Sequence, residues 1–164
     1  MSVAFLSLGS NIGDSKALIK KALFDIASLD KVNSLKASSL YCTKPVGYLF
    51  QDDFVNVSAV IDTSYTKEEL LKLFQELEQK YKRVRLFKDG PRTLDIDILT
   101  YDDVVSDNKE LILPHPRMHE RAFVLIPLME IAPEAVIAKH NLSVKELADR
   151  LPAAQIEGVK RINE

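Results

Sequence analysis

Apolar positions recur along the chain with two spacings, and these spacings predict its elements. Val3 to Leu8 is a short apolar run that stops at Gly9, and past Asp14 the residues Leu18, Ala22, Leu23 and Ile26 fall on one face of a helix. Leu35 to Tyr41 and Phe54 to Ile61 alternate as strands do, the second with Val55, Val57, Ala59 and Ile61 on one side. A loop from Thr43 to Asp53 separates them. Thr66 followed by Glu69 forms a capping-box pattern, opening a helix whose stripe is Leu70, Leu73, Phe74, Leu77 and Tyr81. After a basic loop ending at Gly90 and Pro91, Leu94, Ile96 and Ile98 alternate with Asp95, Asp97 and Leu99, which predicts a strand with acids on one face. Pro114 and Pro116 mark a turn, Arg121 to Ile131 reads as a helix in spite of Pro127, and Ser143 opens a short helix ending before Pro152. The order β-α-β-β-α-β predicts an α+β, ferredoxin-like core: helices on one face of an antiparallel sheet, with extra C-terminal elements.

Composition narrows the class. The chain has 164 residues, 46% hydrophobic and 28% charged, with 5 glycines and 7 prolines, a balance that buries one core without staples and predicts a single domain over 1–164. Cys42 is the lone cysteine and no secretory leader is evident, so a reducing, cytoplasmic setting is expected. No apolar run reaches the roughly 18 residues that a bilayer-spanning helix needs, which argues against a membrane role. A net charge of −2 argues against a nucleic-acid-coating protein, yet Arg83, Arg85, Lys88, Arg92, Arg117 and Arg121 cluster with His115 and His119. A local anion site survives that argument.

The acids give this cluster its meaning. Asp95 and Asp97 lie two apart on a strand, so both side chains leave one face, with Cα atoms about 6.5–7 Å apart. In isolation such a pair is the ordinary signature of a solvated face. Flanked by Arg83, Arg85, Lys88 and Arg92, it suits a polyphosphate with Mg²⁺: carboxylates hold the hard metal and arginine forks take the remaining phosphate charge. Gly9-Ser10-Asn11-Ile12-Gly13 lacks the Lys and Ser/Thr of a phosphate loop and reads as a turn before a helix. His115, held between two prolines, is either a phosphate donor or a turn histidine, and Gln75 and Glu78 flank the stripe of the second predicted helix. Phe54 and Phe123 are core residues or the two faces of a heterocycle site.

Gly90-Pro91-Arg92-Thr93-Leu94-Asp95-Ile96-Asp97-Ile98-Leu99 resembles the 6-hydroxymethyl-7,8-dihydropterin pyrophosphokinases of folate biosynthesis. So do Gly9-Ser10-Asn11, Phe54-Val55-Asn56, the segment from Pro114 to Phe123, and Pro127-Leu128 with Glu130-Ile131-Ala132-Pro133. The resemblance covers nearly the whole chain. It implies transfer of the β,γ-diphosphate of ATP to the hydroxymethyl group of the pterin, with release of AMP. On that basis Asp95 and Asp97 would bind two Mg²⁺ ions. Gln75, Glu78, Arg83, Arg85, Arg92, His115 and Arg121 would line the nucleotide and phosphate path, with Ile98 and Ile112 bordering the adenine. Arg83, Arg85, Lys88 and Arg92 would act on the transferring group with the two acids. Phe54 and Phe123 would stack the pterin, while Asn56, Thr43, Pro45 and Val46 read its hydrogen-bonding edge. Such domains also occur joined to, or working beside, a dihydropteroate synthase.

One departure stands out: relatives commonly carry arginine and then tryptophan where this chain has Lys88 and Asp89. Lysine supplies charge but no planar fork, which shifts the expected weight onto Arg83 and Arg92. The rival reading is a nucleotide- or RNA-binding ferredoxin-like module without catalysis, but the chain lacks the aromatic-rich RNA-binding pattern. Another phosphoryl-transfer enzyme using the same acids with a different acceptor is the second rival.

Overall fold

The computed structural model of the chain describes residues 1–10, 15–43, 54–84 and 94–162, residues 83 and 84 through their backbone alone. A six-stranded sheet runs through these residues in the order β5 (Leu94–Tyr101), β1 (Ser2–Ser10), β4 (Phe54–Thr63), β3 (Tyr41–Thr43) and β8 (Val159–Arg161), with β2 (Val32–Ala37) also paired to β4. All pairings are antiparallel. Alternation gives each central strand two different faces. Ala4, Leu6 and Leu8 of β1, Val55, Val57, Ala59 and Ile61 of β4, and Leu94, Ile96 and Ile98 of β5 all point into one core.

That core is closed by α1 (Ser15–Ala27) and α2 (Lys67–Val84), through Leu18, Ile19, Ala22 and Ile26 of the first and Leu70, Phe74 and Tyr81 of the second. The capping box is present: Glu69 N–H donates to Thr66 Oγ1 at 3.1 Å and Thr66 N–H to Glu69 Oε1 at 2.8 Å. It satisfies backbone donors that the first turn of α2 leaves unpaired. Leu73, expected on the buried stripe, is only half-buried.

Three expectations need correction. The strand expected from Leu35 to Tyr41 is divided into β2 and β3, because between them Ser39 donates its N–H to the Glu130 carboxylate at 2.9 Å instead of to a neighbouring strand. Gly9 does not end the first strand, which runs on to Ser10. Helices also cover both faces of the sheet: α3 (Ala122–Ile131) and α4 (Val144–Asp149) pack Val124, Leu125, Leu128, Val144 and Leu147 against Leu99 and Phe5 on the second face. Packed between the sheet and α4, α3 is apolar apart from Glu130 and carries Pro127 without ending. A small hairpin, β6 (Val136–Ile137) and β7 (Leu142–Ser143), leads into α4, where Ser143 and Glu146 form a second capping box. The chain then adds α5 (Ala153–Glu157) and β8.

The second layer does not extend over the whole face. Toward the C-terminal half of β1 it leaves open the side chains of Asp95, Asp97 and Asn56, and this opening positions the site.

Candidate active site

Strand register sets the floor of the site. Gly9 of β1 lies between Asp95 of β5 and Asn56 of β4, and one step along Ser7 lies between Asp97 and Ser58. Neighbouring strands are about 4.8 Å apart, so the acid and the amide face the same opening roughly 10 Å from each other. Beyond Asn56 the row continues to Tyr41, and Phe54 is paired with Thr43. Gly9 keeps the middle of this row clear. A Cβ there would come within 3.0 Å of Asn56 Oδ1, and Asn56 has little room to retreat because its Nδ2 donates to Thr43 Oγ1 at 2.8 Å. A bulge on β5, where the pairing shifts at the Phe5–Leu6 step, lies next to this acidic end.

The floor opens into a cavity of about 830 Å³. Asp95 and Asp97 line it at the β5 edge, and Asn56, Thr43 and Phe54 line it toward β3. One wall comes from the turn before α3 and its first residues, Arg117, Glu120, Arg121 and Phe123, with the Arg121 guanidinium 5.5 Å from the centre of the Phe123 ring. The other comes from Ala154, Gln155, Gly158 and Val159 of the C-terminal segment. Val159 is there because β8 pairs with β3, placing it opposite Thr43.

Charge in the cavity is unbalanced on the β5 side. Among the described residues neither Asp95 nor Asp97 has a hydrogen-bond donor or a paired cation. Asp95 is exposed by area, but that area opens onto the cavity; burial, with Asp97 beside it, pushes its carboxyl above the usual range. Glu78 of α2 adds a third acid from behind. Its Oε2 accepts the Ile96 N–H at 2.8 Å, the outward amide of an edge strand and the one between the two aspartates. Burial and then the two aspartates outweigh that hydrogen bond, so Glu78 too is raised. His115 feels the same site from the other side: burial lowers its pKa, the Asp97 charge opposes that, and Arg121 and Arg117 add to the lowering. Its Nδ1 accepts the Arg117 N–H at 3.1 Å and its own N–H donates to Leu99 O at 2.8 Å, so in the neutral ring the side-chain proton sits on Nε2.

Comparison with known proteins decides the family. Residues 5–133 match the model of the 7,8-dihydro-6-hydroxymethylpterin-pyrophosphokinases. The 2-amino-4-hydroxy-6-hydroxymethyldihydropteridine pyrophosphokinase of Methylorubrum extorquens is 40% identical over 160 residues, 98% of this chain and 100% of that protein. The chain belongs to this family. It is therefore an ATP-dependent diphosphotransferase that acts on hydroxymethyldihydropterin in folate biosynthesis. The Bacillus subtilis enzyme of the same name is 44% identical over 130 residues, 79% of this chain and 78% of the relative. The crystal structure of a Plasmodium falciparum HPPK-DHPS triple mutant with pteroate superposes with a TM-score of 0.77 over 99% of this chain at 16% identity, a likeness of fold. This chain spans about half of that longer one, 47%.

Of the residues expected at the site, Asp95, Asp97, Thr43, Phe54, Asn56, Arg121 and Phe123 line the one cavity. Glu78 and His115 stand beside it, through the Ile96 amide and through the Asp97 and Arg121 charges respectively. Three others are not among the residues lining this cavity. Ile98 is 4% exposed and packs in the α1–α2 core, Ile112 is exposed, and Gln75 lines a separate groove on the outer side of α2. Arg85, Lys88, Arg92, Pro45 and Val46 lie outside the described residues, as does the side chain of Arg83. Sequence reasoning missed Gly9 as floor, Arg117 and Glu120 as wall, and the whole Ala154–Val159 wall. The last lies beyond the 5–133 family match and in a stretch with no long periodicity.

Proposed function

We propose that this cavity carries out the family's reaction with ATP at the Asp95–Asp97 end and the pterin at the Asn56–Phe54–Phe123 end. One observation carries the proposal: a row of three neighbouring strands sets two carboxylates, without partners among the described residues, and a fixed carboxamide on the same open face, with Gly9 between them. The pterin's edge needs fixed donors and acceptors, and Asn56, held by Thr43, supplies them. A flat heterocycle needs aromatic faces, and Phe54 and Phe123 line the same space.

The donor set fits Mg²⁺. Oxygen ligands suit this hard ion, which is commonly held by one or two carboxylates together with substrate phosphates and water. Among the described residues no three His, Cys, Asp or Glu converge into a self-sufficient metal centre, in keeping with a site completed by the phosphates of ATP. Asp95 and Asp97 are the residues that would hold two such ions. An ion held there would offset the phosphate charge that the hydroxyl must approach. The protein's own contribution is positioning and charge. Arg121 and the Nε2–H of His115 can donate to phosphate oxygens, with Arg83, Arg85, Lys88 and Arg92 as further cations. In-line attack by the pterin hydroxyl on the β-phosphorus breaks its bond to the α-phosphate oxygen, and AMP leaves. Glu78, which the resemblance puts on the nucleotide path, also braces the strand that bears the acids by accepting the Ile96 N–H.

The same reading treats 1–164 as one pyrophosphokinase domain of the cytoplasm, able to work beside or joined to a dihydropteroate synthase. It is tested by incubating the protein with ATP, Mg²⁺ and 6-hydroxymethyl-7,8-dihydropterin. AMP and the pterin diphosphate are the expected products. ADP release would point to a different phosphoryl transfer, and no pterin-dependent turnover to a non-catalytic module.

A further inference from the structure

A second cavity, of about 710 Å³, adjoins the first and shares Arg117, Glu120 and Gln155 with it. Three elements far apart in sequence bring cations to it: Arg117 from the turn before α3, Lys139 from the β6–β7 turn, and Arg150 from the end of α4. Two imidazoles line it as well, His119 and His140, with ring centres 4.6 Å apart. Glu120 is the single carboxylate on its described walls. It lies 3.5 Å from Arg117 Nε and 3.7 Å from His119 Nε2, so Lys139 faces the space without an acid on these walls, and Arg150 meets a carboxylate charge only off them, at Glu146 one turn back on α4. We propose that this cavity is a second oxyanion site, taking a phosphate-class anion, separate from the Asp95–Asp97 end of the catalytic cavity.

Simpler explanations cover the residues one at a time but not together. Arg150 suits the C-terminal end of a helix on dipole grounds alone. Lys139 has a harder case to answer. It sits at φ 71°, a left-handed conformation that costs a side-chain-bearing residue about 1 kcal/mol and that glycine or asparagine fills more cheaply. The cation is thus kept where the backbone does not favour it. His119 Nδ1 is buried without a hydrogen-bond partner among the described residues, and burial, then His119 and Lys139, lower the pKa of His140. This cationic wall belongs to a chain whose net charge is −2, and an oxyanion held by arginine forks and a lysine would relieve the mutual repulsion. The shared wall places such an anion next to the catalytic cavity, where a phosphorylated reactant or product enters or leaves. The proposal does not depend on where ATP and pterin sit.

The chain's three histidines report on the two cavities separately. His115 faces the catalytic side, His119 and His140 the second cavity. Their imidazole NMR signals, assigned by single His→Asn variants, are followed in Mg²⁺-free buffer while inorganic diphosphate, orthophosphate or AMP is added. Saturable movement of the His119 and His140 signals is expected. In a Lys139→Ala/Arg150→Ala variant, whose altered side chains are both exposed and line only the second cavity, the affinity should fall at least about tenfold. The His115 response should be unchanged. Tighter binding of AMP than of orthophosphate assigns the site to a nucleotide phosphate, and the reverse assigns it to free phosphate. Movement of His115 alone, movement that does not saturate, or equal affinity in the double variant would reduce the cavity to a solvated basic surface.

Discussion

Two carboxylate sites on the same chain are similarly exposed and oppositely arranged. Glu130 at the end of α3 accepts from Tyr41 Oη at 2.7 Å, from Ser39 N–H at 2.9 Å and from Ser39 Oγ at 3.2 Å. Burial alone would raise its pKa, but the Tyr41 and Ser39 donors outweigh burial and hold it below the usual range; burial, then the hydrogen bond to Glu130 and its charge, push Tyr41 up to about 12. Asp95 has no donor among the described residues, and burial with Asp97 alongside raises it. Glu130 is a joint: it ties α3 to the break between β2 and β3. Asp95 and Asp97 receive no such donor or cation from the described residues. A carboxylate whose charge the protein satisfies serves structure, and one whose charge it leaves open is available for chemistry.

After the acids themselves, the largest expected effect is on the cations of the open side of this comparison. If cations near Asp95 and Asp97 complete the site, Arg92→Ala should lower kcat/KM by about two to three orders of magnitude, as loss of a transition-state donor does. Lys88→Ala should cost less, since lysine offers no fork. A larger loss at Lys88 would reverse that ranking. Next is the floor between acid and amide. Gly9→Val brings side-chain atoms against Asn56 Oδ1, so KM for the pterin should rise roughly tenfold to a hundredfold, with KM for ATP little changed. An equal rise in both would mean that the strand has moved rather than the carboxamide.

The smaller effects are on stability and should differ in sign. Glu130→Ala removes three hydrogen bonds from a carboxylate open to water, so a loss of about 1–2 kcal/mol is expected, seen as a lower thermal midpoint. Because the folded pKa of Glu130 is depressed, its contribution is present above the unfolded carboxylate value and fades as pH falls through the folded one. The variant should therefore lose less stability on acidification than the parent. Asp95→Asn should do the opposite. The folded pKa of Asp95 is raised, so ionising it costs the metal-free fold stability as pH rises past the unfolded value. The amide should raise the midpoint at neutral pH by about 1–2 °C, a fraction of a kcal/mol in a chain of this length. Destabilisation by Asp95→Asn would show that the acid is satisfied after all.

How far the sequence could be read follows from the reach of each interaction. Thr66–Glu69 and Ser143 at the starts of α2 and α4, the stripe on α1 and the alternation of β5 are local, and each appears where its pattern places it. The acid pair was legible because residues two apart on a strand must share a face. The division of β2 from β3 was not, since it depends on Glu130 reaching Ser39 from 91 residues away. Nor was the pairing of β8 with β3, a three-residue ladder without periodicity of its own. Gly9 reads as a turn signal in isolation and as a floor only once Asp95 and Asn56 lie on either side of it. Ile98 was assigned to the adenine by resemblance, while its place in the alternation with Ile96 already turned its side chain to the core.

Turnover of ATP and 6-hydroxymethyl-7,8-dihydropterin to AMP by Asp97→Ala at saturating Mg²⁺ tests the central claim most directly. The account predicts an intact fold by circular dichroism and a loss of turnover of several orders of magnitude. Near-normal AMP formation by that variant would contradict it.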